Sequence, residues 1–439
     1  MLNEHGLNIY KSGLFFFKGL IIMTTIPKDK AIDSTPALLS DGYNFIGNRC
    51  DELGTDVFET RLMMKKVICM RGEEAARVFY DTDRFNRKKA APKRLQKTLF
   101  GEGGVQGIDG ESHKNRKELF MSLMSADSIR QLLGMIGQEW ELAIKKWSTL
   151  KEVILLNETE EILCRAVCRW AGVPLKDSKV SKRTKQISSM ITSAGEIALD
   201  HYKGRRNRKK AEKWISGLIN KVRSGKIIPG EQSALAVFAQ HRDRDGNRLD
   251  ERVAAVEILN VLRPTVAIGR FIVFIAHALY IYPEYRDKLL QQPEMSEWFV
   301  QEVRRVYPFF PFAAARVKKD FEWNGIHFPK GRRVLLDLYG TNHHAGTWDD
   351  PEVFRPERFK HWNGSPYNFI PQGGGDHNTN HRCAGEWATI ETMKLALDYI
   401  VKKMRYNVPQ QDLTIDMSNF PAIPESRFVI TNVNSVSST

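Results

Sequence analysis

The residues from Gln372 to Trp387 are the part of this chain best suited to chemistry. They read Gln-Gly-Gly-Gly-Asp-His-Asn-Thr-Asn-His-Arg-Cys-Ala-Gly-Glu-Trp. Glycine dominates the start, a lone cysteine, Cys383, stands near the end, and a strongly helical segment follows. A thiolate there would meet backbone N–H groups and the positive end of a helix dipole, which stabilise its charge. Such a sulfur suits axial ligation of haem iron, where an anionic thiolate favours O–O bond cleavage. The glycine run also suits a phosphate loop, but the lysine and Ser/Thr of that motif are missing.

A second unusual feature is Arg263-Pro264, inside a long apolar segment from about Glu251 to Ile281. That segment reads as a buried central helix. Proline inside a helix removes a backbone hydrogen bond and kinks it. Arginine amid Ile, Leu and Val is costly unless an anion meets it. That anion is either a carboxylate of the protein itself or the carboxylate of a substrate held bidentately. In the second case the substrate acid could also accept and return a proton, a general acid–base role.

Other residues have the spacing to support such a site. Glu302 and Arg305 lie one helical turn apart, and Arg358 follows in Phe354-Arg355-Pro356-Glu357-Arg358-Phe359. The pair alone reads as a surface ion pair, whereas a triad with Arg358 would be a buried charge cluster. His113, Arg116 and Lys117 sit at i, i+3 and i+4, so they share a helix face.

These residues need a largely helical frame to hold them. Val67–Met70 reads as a strand and Glu73–Tyr80 as a helix. Phe100–Gly110 reads as a glycine-rich loop, and Asp109 as the cap of a helix running through Glu111–Met124. Helix dominates from about Ala126 to Val222. Further helices are expected over Glu294–Val306 and Glu386–Lys403, with short strands around Phe321–Phe328 and Arg333–Leu338 and in the tail. The fold class is mainly α with a minor β part.

Glu302…Arg305, then Pro356-Glu357-Arg358-Phe359, then His381-Arg382-Cys383-Ala384-Gly385, in this order, resembles the cytochrome P450 superfamily. The resemblance implies that family's helical prism with small β-sheets, and haem b with Cys383 as metal ligand. It implies a structural role for Glu302, Arg305 and Arg358. Two departures narrow it. Asp376 replaces the usual Phe in an enlarged loop, and Asn260-Val261-Leu262-Arg263-Pro264-Thr265 replaces the usual acid–Thr relay. Both departures resemble the bacterial fatty-acid peroxygenases, the fatty-acid α- and β-hydroxylases and alkene-forming decarboxylases. Matching stretches include Pro92-Lys93-Arg94, Thr98-Leu99-Phe100-Gly101, Tyr307-Pro308-Phe309 and Asn380–Trp387.

By that resemblance Arg263 binds the fatty-acid carboxylate, Pro264 shapes the helix, and Phe100 and Gln106 face the haem pocket. Arg87, His113 and Lys117 hold the haem propionates, with Gln372 also in the cofactor-binding set; Arg316 is a further basic candidate. Decarboxylation is associated with His at the position of Gln106 and hydroxylation with Gln. An amide carries no proton usefully near neutral pH. The expected main activity is therefore peroxide-driven α/β-hydroxylation of long-chain fatty acids, with terminal alkenes minor. The alternatives are a dominant decarboxylase, a monooxygenase fed by a redox partner, and a non-catalytic haem or lipid binder. No obligatory redox partner is implied.

Bulk composition fits. The chain has 439 residues, 42% apolar residues and no low-complexity linker or repeat, so one domain over 23–439 is expected. Mean hydropathy is −0.39, and no uninterrupted apolar run reaches membrane-spanning length, so no integral membrane anchor is expected. Net charge of +14 favours acidic partners, yet no zinc-finger or RNA-binding signature supports nucleic acid. Five cysteines, an odd and sparse count, suit a reducing, cytoplasmic compartment. Cys164 and Cys168 read as buried thiols on a helix face rather than metal ligands. Residues 1–22, with the short apolar run LFFFKGLIIM split by Lys18, read as an N-terminal extension outside the fold.

Overall fold

The computed structural model describes residues 25–193, 195, 199–243 and 245–436, with only the backbone described at 199 and 200. The expected N-terminal extension lies outside the described residues.

The central helix spans Glu251–Ile281, 31 residues and about 46 Å of rise. It starts where Asp250 accepts hydrogen bonds from the N–H groups of Arg252 and Val253, at 2.9 and 3.1 Å, which satisfies two of the helix's orphan donors. Its residues are apolar nearly all round, so it can be stable only when enclosed. Its composition and length would pass for a membrane span, but 89% of that window is buried inside the protein, which makes it a core helix. It packs against Leu155–Trp170, Val180–Thr192, Leu199–Arg223 and Glu386–Asp398. The last of these begins just after Cys383, so the core helix lies opposite the cysteine loop.

The β part stands to one side with its own apolar cluster, including Ile68, Phe79, Val334 and Leu336. Five strands run in the order Val57–Leu62, Lys65–Met70, Arg333–Asp337, Phe312–Val317 and Phe85–Asn86. All neighbours are antiparallel except Lys65–Met70 and Arg333–Asp337. Smaller sheets are Glu152–Ile154 with Val429–Ser435 and Met404–Asn407, and the pair Phe321–Trp323 with Ile326–Phe328.

The expected element order holds, with local differences. Phe100 ends a π-helical turn, Gln96–Phe100, rather than opening a loop. That turn's carbonyls are taken by one buried guanidinium: Arg208 donates to the oxygens of Thr98, Leu99 and Phe100. Asp109 precedes helix Gly110–Ser122, but its side chain does not cap it. It accepts instead from the N–H groups of Arg87 and Lys88, at 2.7 and 2.8 Å, tying a distant turn to this helix. The helix after the cysteine is regular only over Glu386–Asp398 and ends in a π-helical turn, Tyr399–Lys403.

Candidate active site

Cys383 lies in coil three residues before helix Glu386–Asp398, with Gly385 at the N-cap. Unlike Cys50, Cys69, Cys164 and Cys168, which are buried, it is partly exposed. Its N–H donates to Gln372 O at 3.2 Å, closing the glycine loop on itself. Its sulfur accepts from Gln372 Nε2 at 3.7 Å. Burial pushes the thiol's pKa up and nearby Glu386 adds to this, while Lys117 and the N–H of Gly385 oppose it. The helix-end N–H expected to stabilise a thiolate is thus present but outweighed by burial. Gly373 and Gly375 have φ of +92° and +81°, and a Cβ on Gly374 would lie 2.6 Å from Ile370 Cγ2 and Pro366 O, so the run is needed for close packing.

Behind the loop stands the buried triad. Glu302 and Arg305 are fully buried. Arg305 donates from Nε and Nη2 to the two oxygens of Glu302 at 2.8 and 2.9 Å, and Arg358 Nε reaches Oε1 at 3.1 Å. The remaining donors go to backbone oxygens of Asn342, Pro351, Asp349 and Val353. Every charge is met, so this is a buried cluster that ties helix Met295–Val306 to the segment 342–358, not a surface ion pair.

Arg263 faces this loop from the core helix. It is 5% exposed. Nη2 donates to Asn260 Oδ1 at 3.2 Å, and Nε has no hydrogen-bond partner. Burial and, next, nearby Arg208 bring its pKa down to about 9, while Cys383 acts in the opposite direction. Among the described residues no carboxylate pairs with it. Glu257, an acid on the same helix, is already taken: it accepts from Arg116 Nη1 at 2.6 Å and Asn260 Nδ2 at 2.9 Å. Asn260 Nδ2 also donates to Gln106 Oε1 at 3.2 Å, so a single chain of hydrogen bonds joins Gln106, Asn260 and Arg263. Pro264 lacks an N–H, which leaves the Asn260 carbonyl without its ordinary helical partner. A Cβ on Gly104 would lie 2.9 Å from Asn260 Nδ2, so only glycine lets Gln106 approach. The carbonyl of Phe100 is held by Arg208.

A third group is basic. Arg87 is buried, stacks over the rings of Phe79 and Tyr80, and donates to Ala314 O at 2.8 Å. Lys117 is buried and donates to Arg382 O; burial lowers it to about 8. His113 stacks on His381 with centroids 3.8 Å apart; burial, with His381 and Lys117 adding, lowers it to about 3. Among the described residues, no carboxylate hydrogen-bonds the side chain of any of the three, although Asp109 accepts from the Arg87 backbone N–H. Arg116, on the same expected face, turns instead to Glu257, and Arg316 donates to Lys89 O and Gly331 O. Sequence spacing pointed to none of Asn260, Glu257, His381 or Glu386. Asn260 lies at i−3 from Arg263 and Glu257 at i−3 from Asn260, so each is the helical neighbour of the next.

A partly exposed sulfur, an unpaired buried guanidinium opposite it and three buried basic groups lacking acids make a donor set that fits an iron porphyrin with two propionates. The family model described as Cytochrome P450 matches residues 283–431. Among solved structures, a variant of cytochrome P450SP alpha (CYP152B1) is 48% identical, with 93% of this chain and 100% of that chain covered and a TM-score of 0.91. The chain belongs to the cytochrome P450 family. Its P450 fold is therefore that of a haem-binding oxidoreductase, on the CYP152 branch. Cytochrome P450EX alpha (CYP152N1), solved with myristic acid, is 46% identical at a TM-score of 0.91, covering 94% and 99% of the two chains. A variant of cytochrome P450 OleT, solved with arachidonic acid, is 38% identical at 0.92, covering 94% and 100%. By sequence, taxane 10-beta-hydroxylase of Taxus cuspidata is 24% identical over 425 residues, 88% of this chain and 83% of that protein.

Proposed function

We propose that this P450 hydroxylates long-chain fatty acids at Cα or Cβ with hydrogen peroxide as oxidant, terminal alkenes being a minor product. Haem b, held through Cys383, supplies O–O bond cleavage and oxygen transfer. Arg263 binds the carboxylate head group. Anchoring one end of the chain brings the two nearest carbons to the metal and leaves the rest of the chain out of reach. The bound carboxylate takes a proton from peroxide and returns it to the departing oxygen, the task of the acid–Thr pair that this helix lacks. Asn260 holds the guanidinium, Pro264 shapes the helix, and Gln106 donates no useful proton, which favours hydroxylation. Arg87, His113 and Lys117 serve the propionates, and residues 23–439 act as one catalytic domain. No redox partner is required, and the absence of disulfides among five cysteines supports a cytoplasmic site.

The observation that carries this reading is Arg263, a buried cation with no acid of its own. Both fatty-acid-bearing neighbours named above lend support. The test is product analysis by gas chromatography after incubating a saturated long-chain acid with peroxide and no reductant. 2- or 3-Hydroxy acid is expected. Product formed only with NAD(P)H and an electron-transfer protein would replace this reading with a conventional monooxygenase, and a spectral shift on acid binding without peroxide consumption would replace it with a carrier.

A further inference from the structure

Arg304 adjoins Arg305 in sequence but belongs to a different cluster. It is 1% exposed. Its Nη1 donates to Gln301 Oε1. Its Nη2 is shared between Gln372 Oε1 at 3.0 Å and Glu386 Oε1 at 2.6 Å. The other oxygen of Glu386 accepts from Arg382 Nε at 2.6 Å. At its far end, the Gln372 amide nitrogen reaches Cys383 Sγ at 3.7 Å and Thr389 Oγ1 at 3.2 Å. The Thr389 hydroxyl gives its own proton to Gly385 O at 3.0 Å, so toward Gln372 it can only accept.

An amide has one accepting and one donating end, and a guanidinium only donates. With Arg304 on one side and a proton-committed Thr389 on the other, Gln372 has one satisfied orientation. Its oxygen faces Arg304 and its N–H groups face the sulfur and Thr389. Replace Arg304 with a group that can also accept, and the amide is free to turn over. Its carbonyl lone pairs would then face the sulfur.

We propose that Arg304 is a positioning residue that sets the donor strength of the cysteine sulfur by locking the Gln372 amide with an N–H aimed at Sγ. The proposal rests on the reading of Cys383 as the haem ligand. A hydrogen bond donated to a metal-bound sulfur withdraws charge from it and raises the metal's reduction potential. Losing that bond makes the sulfur a stronger donor, lowers the potential and moves the absorption band of the reduced carbon monoxide complex to longer wavelength. A purely structural Arg304–Glu386 ion pair would change haem content or thermal stability and leave both signals where they are.

The test uses the haem-loaded protein as Arg304→Gln, Gln372→Leu and the double variant, with redox titration and the carbon monoxide spectrum as readouts. The two single variants are expected to shift both signals in the same direction, and the double variant no further than Gln372→Leu alone. If Arg304→Gln fails to fold, Arg304→Lys takes its place. It keeps a cation against Glu386 on a shorter arm, so a smaller shift in the same direction is expected, again with nothing added to that of Gln372→Leu in the double variant. Unchanged signals in the folded Arg304 variant, or shifts that add in the double variant, overturn the proposal. A wild-type protein without the red-shifted carbon monoxide band would instead remove the haem-thiolate reading on which it rests.

Discussion

Arg263→Met separates two explanations of a buried arginine by moving stability and binding in opposite directions. If Arg263 were half of an internal ion pair, its removal would strand a buried carboxylate at a cost of about 3–5 kcal/mol. With melting entropy of about 2 cal/mol/K per residue, that is roughly 3–5 °C of Tm for a chain this long. The guanidinium meets only Asn260 Oδ1, and its Nε meets nothing. Methionine fills a similar shape, removes an unpaired charge and leaves no acid exposed. Tm of the ligand-free variant should therefore hold or rise by a few degrees. Fatty-acid affinity should fall by about 2–5 kcal/mol, the cost of deleting one member of a desolvated charge pair, or roughly 30- to 4,000-fold in Kd. Titrating a long-chain acid against the haem spectrum and measuring Tm by calorimetry on the same samples gives both numbers. A Tm lowered by several degrees with unchanged affinity would refute the reasoning.

Four further outcomes follow from the geometry. Glu257→Gln strands Arg116 and should destabilise the protein by about 3 kcal/mol in denaturant unfolding, while Arg116→Gln together with Glu257→Gln should recover most of it. Burial pushes the Asp337 carboxyl up to about 7 against 3.8 for the free group. A folded pKa raised in this way gives stability that is full below pH 4 and lost as pH climbs to about 7. The Tm difference between Asp337→Asn and wild type should therefore grow in the variant's favour from pH 5 to 7 and level off by pH 8; a flat difference would show that Asp337 does not titrate there. Gln106→His places a titratable ring in the Asn260–Arg263 chain and should raise the alkene fraction seen by gas chromatography. Cys383→Ala should lose the red-shifted band of the reduced carbon monoxide complex.

Where side-chain chemistry and local spacing act together, the sequence was readable. The core helix follows its apolar run over Glu251–Ile281, and the structure adds the Asp250 cap at its start. Cys383, the Glu302–Arg305–Arg358 triad and Arg263 stood out because each is costly in the wrong place. What spacing could not tell was which of several polar residues on a face finds which partner. Arg116 shares a face with His113 and Lys117 but is captured by Glu257, 141 residues away. Asp109 has the right type and place for a cap, yet its carboxylate serves the backbone of Arg87 and Lys88. Arg304 finds its partners Gln372 and Glu386 at 68 and 82 residues' distance along the chain. Such choices depend on long-range packing, which local patterns do not carry.

A crystal structure of the haem-loaded protein with a bound saturated fatty acid is the sharpest trial. Both carboxylate oxygens should lie about 2.7–2.9 Å from the Arg263 guanidinium, with Cys383 Sγ on the iron and the α and β carbons nearest the metal. A head group held elsewhere, with Arg263 turned from the cavity, would contradict the assignment.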